Sequence, residues 1–415
     1  MNNTLKRYKL SELVEVTRGQ SLIGEYYAEQ GEVKRLTLAN FDYQNGGFKE
    51  DLQKTDIYYT GTIKSKFLLN KGDIITPLTE QTPGLLGSTA RIPESGKYIQ
   101  SGDVALVKCN EDLIDHSFCY YLLPSSQVKK QLSVGSQQTK IRHTSPDAIK
   151  NCIVDIPCLE QQKKIGKLLD AITAKIDENQ KQNDLLEKMT KQIYDYWFVQ
   201  YDFPDENGRP YKSLGGAMVY NENLKREIPL GWDYARLIDI ANITMGQSPE
   251  GSSYNENGDG IIFYQGSTDF GIRFPKVRMF TTAPSRYAKK GDILMSVRAP
   301  VGATNIASND CCIGRGLSAI NSKIGSITYI YEIISYFKSM FEQKNSAGTT
   351  FGSITKDELY GLPCIKPDQK VIDAFEKICS PIFEKQMQIG EETEKLKSLK
   401  DFLLPLLMTG QVHIN

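Results

Sequence analysis

Apolar residues spaced seven apart dominate two stretches of the chain. In the first, Ile165, Ile172, Asn179, Leu186 and Ile193 form one row, with Leu168, Leu169, Ile176 and Met189 in companion positions. No Pro interrupts Leu159–Trp197, and Gly166 is its single glycine. This heptad pattern predicts one long helix over 158–199 with a coiled-coil seam. About 40 residues at ~1.5 Å each give a rod of ~60 Å, too long to hide in an ordinary domain. A partner row lies in the same chain: Phe375, Ile382, Ile389, Leu396 and Leu403, each 210 residues beyond its counterpart. The two rows predict a helix-pair interface in an antiparallel coiled coil. Asn179 interrupts the apolar row where the second copy has Ile389, as a polar residue that fixes register does.

Outside the helices the periodicity drops to two. Val14 and Val16 alternate with Glu15 and Thr17, and Lys34–Phe41, Val104–Lys108 and Cys152–Ile156 read as further strands. Helical stretches cover Ser117–Leu123 and Ser125–Leu132, with Gly135 as a C-terminal cap. The same order recurs downstream. Pro157 matches Pro367 and Ile149 matches Leu359, both 210 apart; Thr17–Ser21 matches Thr244–Ser248, 227 apart. Lys71-Gly72-Asp73-Ile74 matches Lys290-Gly291-Asp292-Ile293 between them. The offset drifts, but the order holds. The chain is therefore a tandem duplication of a mixed α+β domain followed by a long helix. The boundaries predicted are a first domain at 1–157, a helix at 158–199, a Pro/Gly-rich linker at 200–227, a second domain at 228–366, and a second helix with tail at 367–415.

Bulk properties narrow the class. The 415 residues carry 50 basic and 50 acidic side chains, so net charge alone points to no nucleic acid. Its distribution does. Between Phe270 and Lys323 stand nine basic residues, among them Arg273, Lys276, Arg278, Arg286, Arg298 and Arg315, against only Asp292 and Asp310. In the first domain Lys129, Lys130, Lys140, Arg142 and Lys150 face the single acid Asp147. A basic face on each domain is an electrostatic footprint of DNA binding. The eight Cys form no C-x-x-C pair and read as buried structural thiols. No apolar run is long enough for a membrane span and no signal sequence opens the chain, which predicts a cytoplasmic protein.

Catalytic signatures are missing. The sequence has no phosphate-binding G-x-x-x-x-G-K-[ST] loop, no G-x-S-x-G elbow, no metal-ligand spacing and no Asn/Asp-Pro-Pro-aromatic run. Asp368 in Pro367-Asp368-Gln369-Lys370 reads as a helix start, not a nuclease acid. What remains suits binding. The DNA-binding candidates are Gln20 and Ser21, matched by Gln247 and Ser248; then Gln137, Gln138, Lys140 and Arg142, matched by Thr349 and Thr350; and Arg298 with Arg315, which lies between two glycines. Gln bonds adenine and Arg bonds guanine bidentately, while Thr and Ser give a single hydroxyl bond.

At these residues a family comes into view. The two domains, the two long helices, the IPLGW-x-Y-x-x-L opening at Ile228–Leu237, the KGDI turns and the LLPLLMTGQV stretch at Leu403–Val412 resemble the DNA specificity subunit of type I restriction–modification systems. The first domain begins at Tyr8–Leu10 without the IPLGW opening. The resemblance implies two target-recognition domains, each reading one half of a split asymmetric site in double-stranded DNA. It implies helices that space the domains, set the gap between half-sites and dock two modification (methyltransferase) subunits. S-adenosylmethionine, ATP and Mg would then be held by the modification subunits and the restriction (translocase/nuclease) subunits, with no cofactor and no catalysis in this chain. Two other classes compete: a coiled-coil adaptor with two protein-binding domains, and a solitary DNA-binding regulator. Salt-dependent duplex binding separates the first from a DNA reader, and co-purification with partners separates the second.

Overall fold

The computed structural model describes residues 5–42, 46–51, 54–80, 84–134, 142–346 and 352–414. The chain forms two compact units, Met1–Asp177 with Lys395–Asn415, and Glu178–Glu394. Each unit therefore combines one globular domain with a part of both long helices.

In the first unit Lys6–Lys9 pairs antiparallel with Ile153–Ile156. The short helix Leu10–Leu13 follows, its backbone tied to the second strand by Leu10 N–H donating to Cys152 O at 2.9 Å. A four-stranded antiparallel sheet then forms in the order Val14–Arg18, Val104–Cys109, Ile74–Pro77, Ala90–Arg91. A second sheet, built from two-residue strands, contains the parallel pair Lys34–Arg35 and Tyr98–Ile99. The alternation at Val14 and Val16 is borne out, both side chains being buried. The longer strand expected at Lys34–Phe41 is corrected. It stops at Arg35 because Thr37 caps a 3-10 turn, Leu38–Asn40, and its Oγ1 accepts from Ala39 N–H.

The second unit repeats this plan. Asp233–Arg236 pairs with Pro363–Lys366, offset by 227 and 210 from the first pair, so the sequence registers and the ladder registers coincide. Its four-stranded sheet runs Ala241–Met245, Leu317–Ser322, Ile293–Ser296, Thr304–Ile306. Phe263 and Tyr264 again pair in parallel, here with Cys312 and Ile313. The missing IPLGW opening leaves the first unit unharmed, because Tyr8 occupies the place of Ala235 in the same ladder. Residues 200–227 are more than a linker. Tyr201 and Phe203 lie in the second core, Phe203 stacks between Tyr211 and Trp232, and Met218–Asn221 pairs with Arg226–Pro229. Burial of these aromatics outweighs the turn-forming Pro and Gly around them.

The helices span Leu159–Tyr194 and Gln369–Met408, the second running through Pro405, and they are antiparallel within each unit. In the first, Ile165 and Leu169 share a core with Leu403, Leu407 and Met408. In the second, Ile193, Tyr194, Trp197 and Phe198 meet Ile372, Phe375 and Cys379. Ile165, Ile172, Asn179, Phe375 and Ile389 are buried, while Leu186, Ile193, Ile382, Leu396 and Leu403 are half-buried. Gly166 is explained by close approach: a Cβ there would lie 2.8 Å from Asp115 Oδ1 and from Ser117 Cβ. One companion position was misread. Met189 is exposed, and the seam passes through Asn183 and Thr190 instead, the line that continues Leu169 and Ile176. At its centre the seam is polar. Asn179 Nδ2 donates to Glu392 Oε2 at 2.8 Å and to Thr393 Oγ1 at 3.2 Å, and Gln386 Nε2 donates to Asn183 O at 3.3 Å.

Candidate nucleic-acid interface

Two structural features recur in both units at the ends of their four-stranded sheets. The first is the turn after the strands Val14–Arg18 and Ala241–Met245. Gln20 N–H donates to Gln100 O at 3.0 Å, and Gln247 N–H donates to Ile313 O at the same distance. Glycine is required just before each. A Cβ on Gly19 would lie 2.2 Å from Ser101 O, and one on Gly246 would lie 2.1 Å from Gly314 O. The backbone frame is shared, but the side chains diverge. Gln20 gives its amide to the backbone, Nε2 donating to Thr62 O at 2.8 Å and Oε1 accepting from Lys64 N–H at 3.3 Å. Gln247 is exposed, and among the described residues its side-chain amide has no such partner; its backbone carbonyl accepts from Ser285 Oγ at 2.6 Å. Ser21 is exposed beside Gln20.

Arg315 lies against the second of these turns. Residues 311–314 and 316–320 are all buried, and Arg315 alone among them is exposed. Its backbone N–H donates to Ser248 Oγ at 3.3 Å. The neighbouring glycines let the strand press onto Gln265: Gly316 N–H donates to Gln265 O at 3.3 Å. Gln265 Nε2 donates to the same Ser248 hydroxyl at 3.0 Å. Ser248, Gln265 and Arg315 line a cleft of about 600 Å³ with Tyr254, Phe263, Asp269 and Arg278. Asp269 is neutralised by Arg278, whose Nε donates to it at 2.9 Å and whose Nη2 forms a second bond. The first unit lines the corresponding place differently. There Arg35 lies over the Tyr27 ring at 3.9 Å and pairs with Asp56 at 3.1 Å, where the second unit sets Phe263 against Tyr254 at 4.8 Å.

The second feature is a short ladder at the foot of each polar loop. Arg142 and His143 pair with Glu80 and Thr79; Arg298 pairs with Ser353. Thr79–His143 and Arg298–Ser353 are the same bridge in the two copies. The first unit thus carries its arginine on one strand, and the second carries it on the other. Arg142 Nη1 lies 3.7 Å from Oε1 of the buried Glu80, which also accepts from the backbone N–H groups of Gly84, Leu85 and Leu86. Arg298 is exposed and, among the described residues, pairs with no carboxylate. Val297 N–H donates to Gly316 O at 2.9 Å, so the residue before Arg298 is bonded to the residue after Arg315.

The structure therefore gathers Gln247, Ser248, Arg298 and Arg315 at one sheet end in the second unit. In the first, Gln20 is held to backbone and Arg142 to Glu80. The loop candidates Gln137, Gln138, Lys140, Thr349 and Thr350, with the cap at Gly135, lie outside the described residues. Gln265 escaped the sequence reading, because nothing local distinguishes it from any strand-end glutamine. Of the eight free cysteines only Cys158 is exposed and Cys109 is half-buried, in keeping with structural thiols. Among the described residues no cluster of His, Cys, Asp or Glu could hold a metal, and no helix is long and apolar enough to cross a membrane.

A family model described as the type I restriction modification DNA specificity domain matches residues 2–188 and again 229–388. The MjaX type I restriction enzyme specificity subunit of Methanocaldococcus jannaschii is 28% identical over 397 residues, covering 92% of this chain and 86% of that protein. The HindI specificity subunit of Haemophilus influenzae is 21% identical, covering 84% and 88%. In fold the chain is similar to the crystal structure of a type I restriction–modification S subunit from M. genitalium, at a TM-score of 0.61 and 16% identity, covering 98% of this chain and 96% of that one.

Proposed function

The chain belongs to the type I restriction–modification DNA specificity family, and on that premise we propose that its two units each read one half of a bipartite, asymmetric site in double-stranded DNA. One observation carries this reading. Ladder pairings repeat between the units in the same order, while the side chains at the sheet ends differ. A conserved frame with divergent edges is what two different half-sites require. Each unit reads only a few base pairs, and joining them adds their binding energies through high effective concentration. The adaptor reading is not favoured, since both domains match a DNA specificity model.

The helices are the docking platform for two modification subunits. Met189 and Leu399, 210 apart, are both exposed, and each has a large exposed apolar neighbour on its helix, Leu185 and Phe402. An exposed apolar residue at the same repeated position of both helices, each beside a second one, supports duplicated docking. Methyl transfer with S-adenosylmethionine falls to those partners, and ATP- and Mg-dependent cleavage to restriction subunits. The test is an exchange. Replacing Arg226–Cys364 with the same unit of a relative changes one half of the methylated site and leaves the other unchanged. A change in both halves, or in neither, contradicts independent reading.

A further inference from the structure

We infer that Arg315 and Gln265 are the base-reading pair of the second unit, Arg315 selecting guanine and Gln265 selecting adenine; this deepens the DNA-reading proposal and rests on it. Three observations lead here. Arg315 is the one exposed side chain in a run of buried strand residues. Asp269, the buried carboxylate of the adjoining cleft, is already neutralised by Arg278, so it does not hold the Arg315 guanidinium back. A guanidinium projected this way presents its planar fork, which matches guanine O6 and N7.

The glutamine amide is oriented by Ser248. One amide hydrogen goes to the Ser248 hydroxyl at 3.0 Å, and that same hydroxyl accepts from Arg315 N–H at 3.3 Å. A primary amide has two hydrogens and a carbonyl oxygen. The same hydroxyl donates to Gln265 Oε1 at 3.4 Å, which occupies one of that oxygen's two lone pairs. The second amide hydrogen and the second lone pair remain to donate to adenine N7 and accept from N6. Ser248 thus couples the two readers: it fixes the backbone that carries one and the amide that is the other. The first unit lacks this arrangement, since its strand has Gly102 where Arg315 stands, and Gly102 O accepts from Arg18 Nε at 2.9 Å.

The test uses the full chain assembled with its modification subunits and selects bound duplexes from a pool randomised across the second half-site. Arg315→Ala should lose a guanine preference at one position by roughly ten- to a hundred-fold, the range of a lost bidentate contact. Gln265→Glu should lose adenine at another position and favour cytosine, whose N4 donates to a carboxylate. Ser248→Ala, which removes no packing volume of note, should broaden the adenine position more than the guanine one, and it serves should Gln265→Glu not fold. The first half-site should stay unchanged throughout. Unaltered preferences in the folded variants would overturn the assignment. So would a uniform loss across sequences with a shallower salt dependence, which marks Arg315 as a phosphate contact. Failure of the broader reading looks different: the unaltered complex would then select no half-site from the pool.

Discussion

The two recognition units share a frame to the residue and differ where the frame ends. At the turn, the same glutamine does two jobs: Gln20 closes a loop by bonding backbone, and Gln247 is left exposed. At the short ladder, Arg142 and Arg298 come from opposite strands of an equivalent pair, one held by a buried carboxylate and one exposed. Duplication therefore preserved backbone bonds, which any side chain can occupy, and released the side chains. Backbone hydrogen bonding sets the geometry of a site, and the divergent edges set its chemistry.

The sharpest test of this equivalence lies where the frame meets the helices. Phe375 and Ile165 hold the same heptad position, 210 apart, and both are buried. Phe375 is ringed by Tyr194, Trp197, Phe198 and Tyr329, whereas Ile165 sits in a mainly aliphatic cluster. Phe375→Ala should cost about 3–5 kcal/mol and Ile165→Ala about 2–5 kcal/mol, each melting its own unit first. Denaturation followed by hydrogen exchange reads both, and a loss spread evenly over the two units would break the claim of separate cores.

A smaller effect separates Glu332 from its counterpart. In the first unit Tyr121 donates to Asp170 Oδ1 at 2.9 Å from that helix position; the second unit places Glu332 there, buried. Burial first, then the nearby charge of Glu187, pushes its carboxyl up to about 8. The folded state then binds a proton that the unfolded state has released, so stability falls as pH rises from about 4.5 to about 8. Glu332→Gln should match the parent at pH 5 and exceed it by up to a few kcal/mol at pH 8.5, as read from thermal midpoints. A variant no more stable at pH 8.5 would remove the ionising carboxyl from the account.

The smallest effect tests the swapped arginines. Arg298→Ala should change stability by less than about 0.5 kcal/mol, because nothing charged in the described structure depends on it. Arg142→Ala should cost about 1 kcal/mol, since Glu80 loses a partner yet keeps three backbone donors. Chemical denaturation distinguishes the two, and equal losses would mean the ladders are used alike.

Much of this was legible in the sequence for a physical reason. Heptad rows and strand alternation are local periodicities, and the offsets of 210 and 227 exposed the repeat before any coordinate was known. Pairing across the chain was not. Met189 read as a seam residue because it is apolar, yet geometry gave the position to Thr190. The stretch at 200–227 read as linker because Pro and Gly outvoted aromatics whose burial only the folded core reveals. Gln265 joins Ser248 and Arg315 through a parallel strand pair and a tight glycine contact, relations that no spacing encodes.

The first unit is completed by residues from the far end of the chain. Gln127 Nε2 donates to Met408 O across 281 residues, and Leu407 and Met408 fill the core around Ile165. During synthesis at about 5–20 residues per second, that core stays open for tens of seconds after its own domain has emerged. The exposed seam of the first helix is then a surface that a chaperone, or the wrong partner helix, can occupy. Order of manufacture and order of completion are inverted in this molecule: the domain made first closes last, and a premature stop late in translation injures the domain nearest the start.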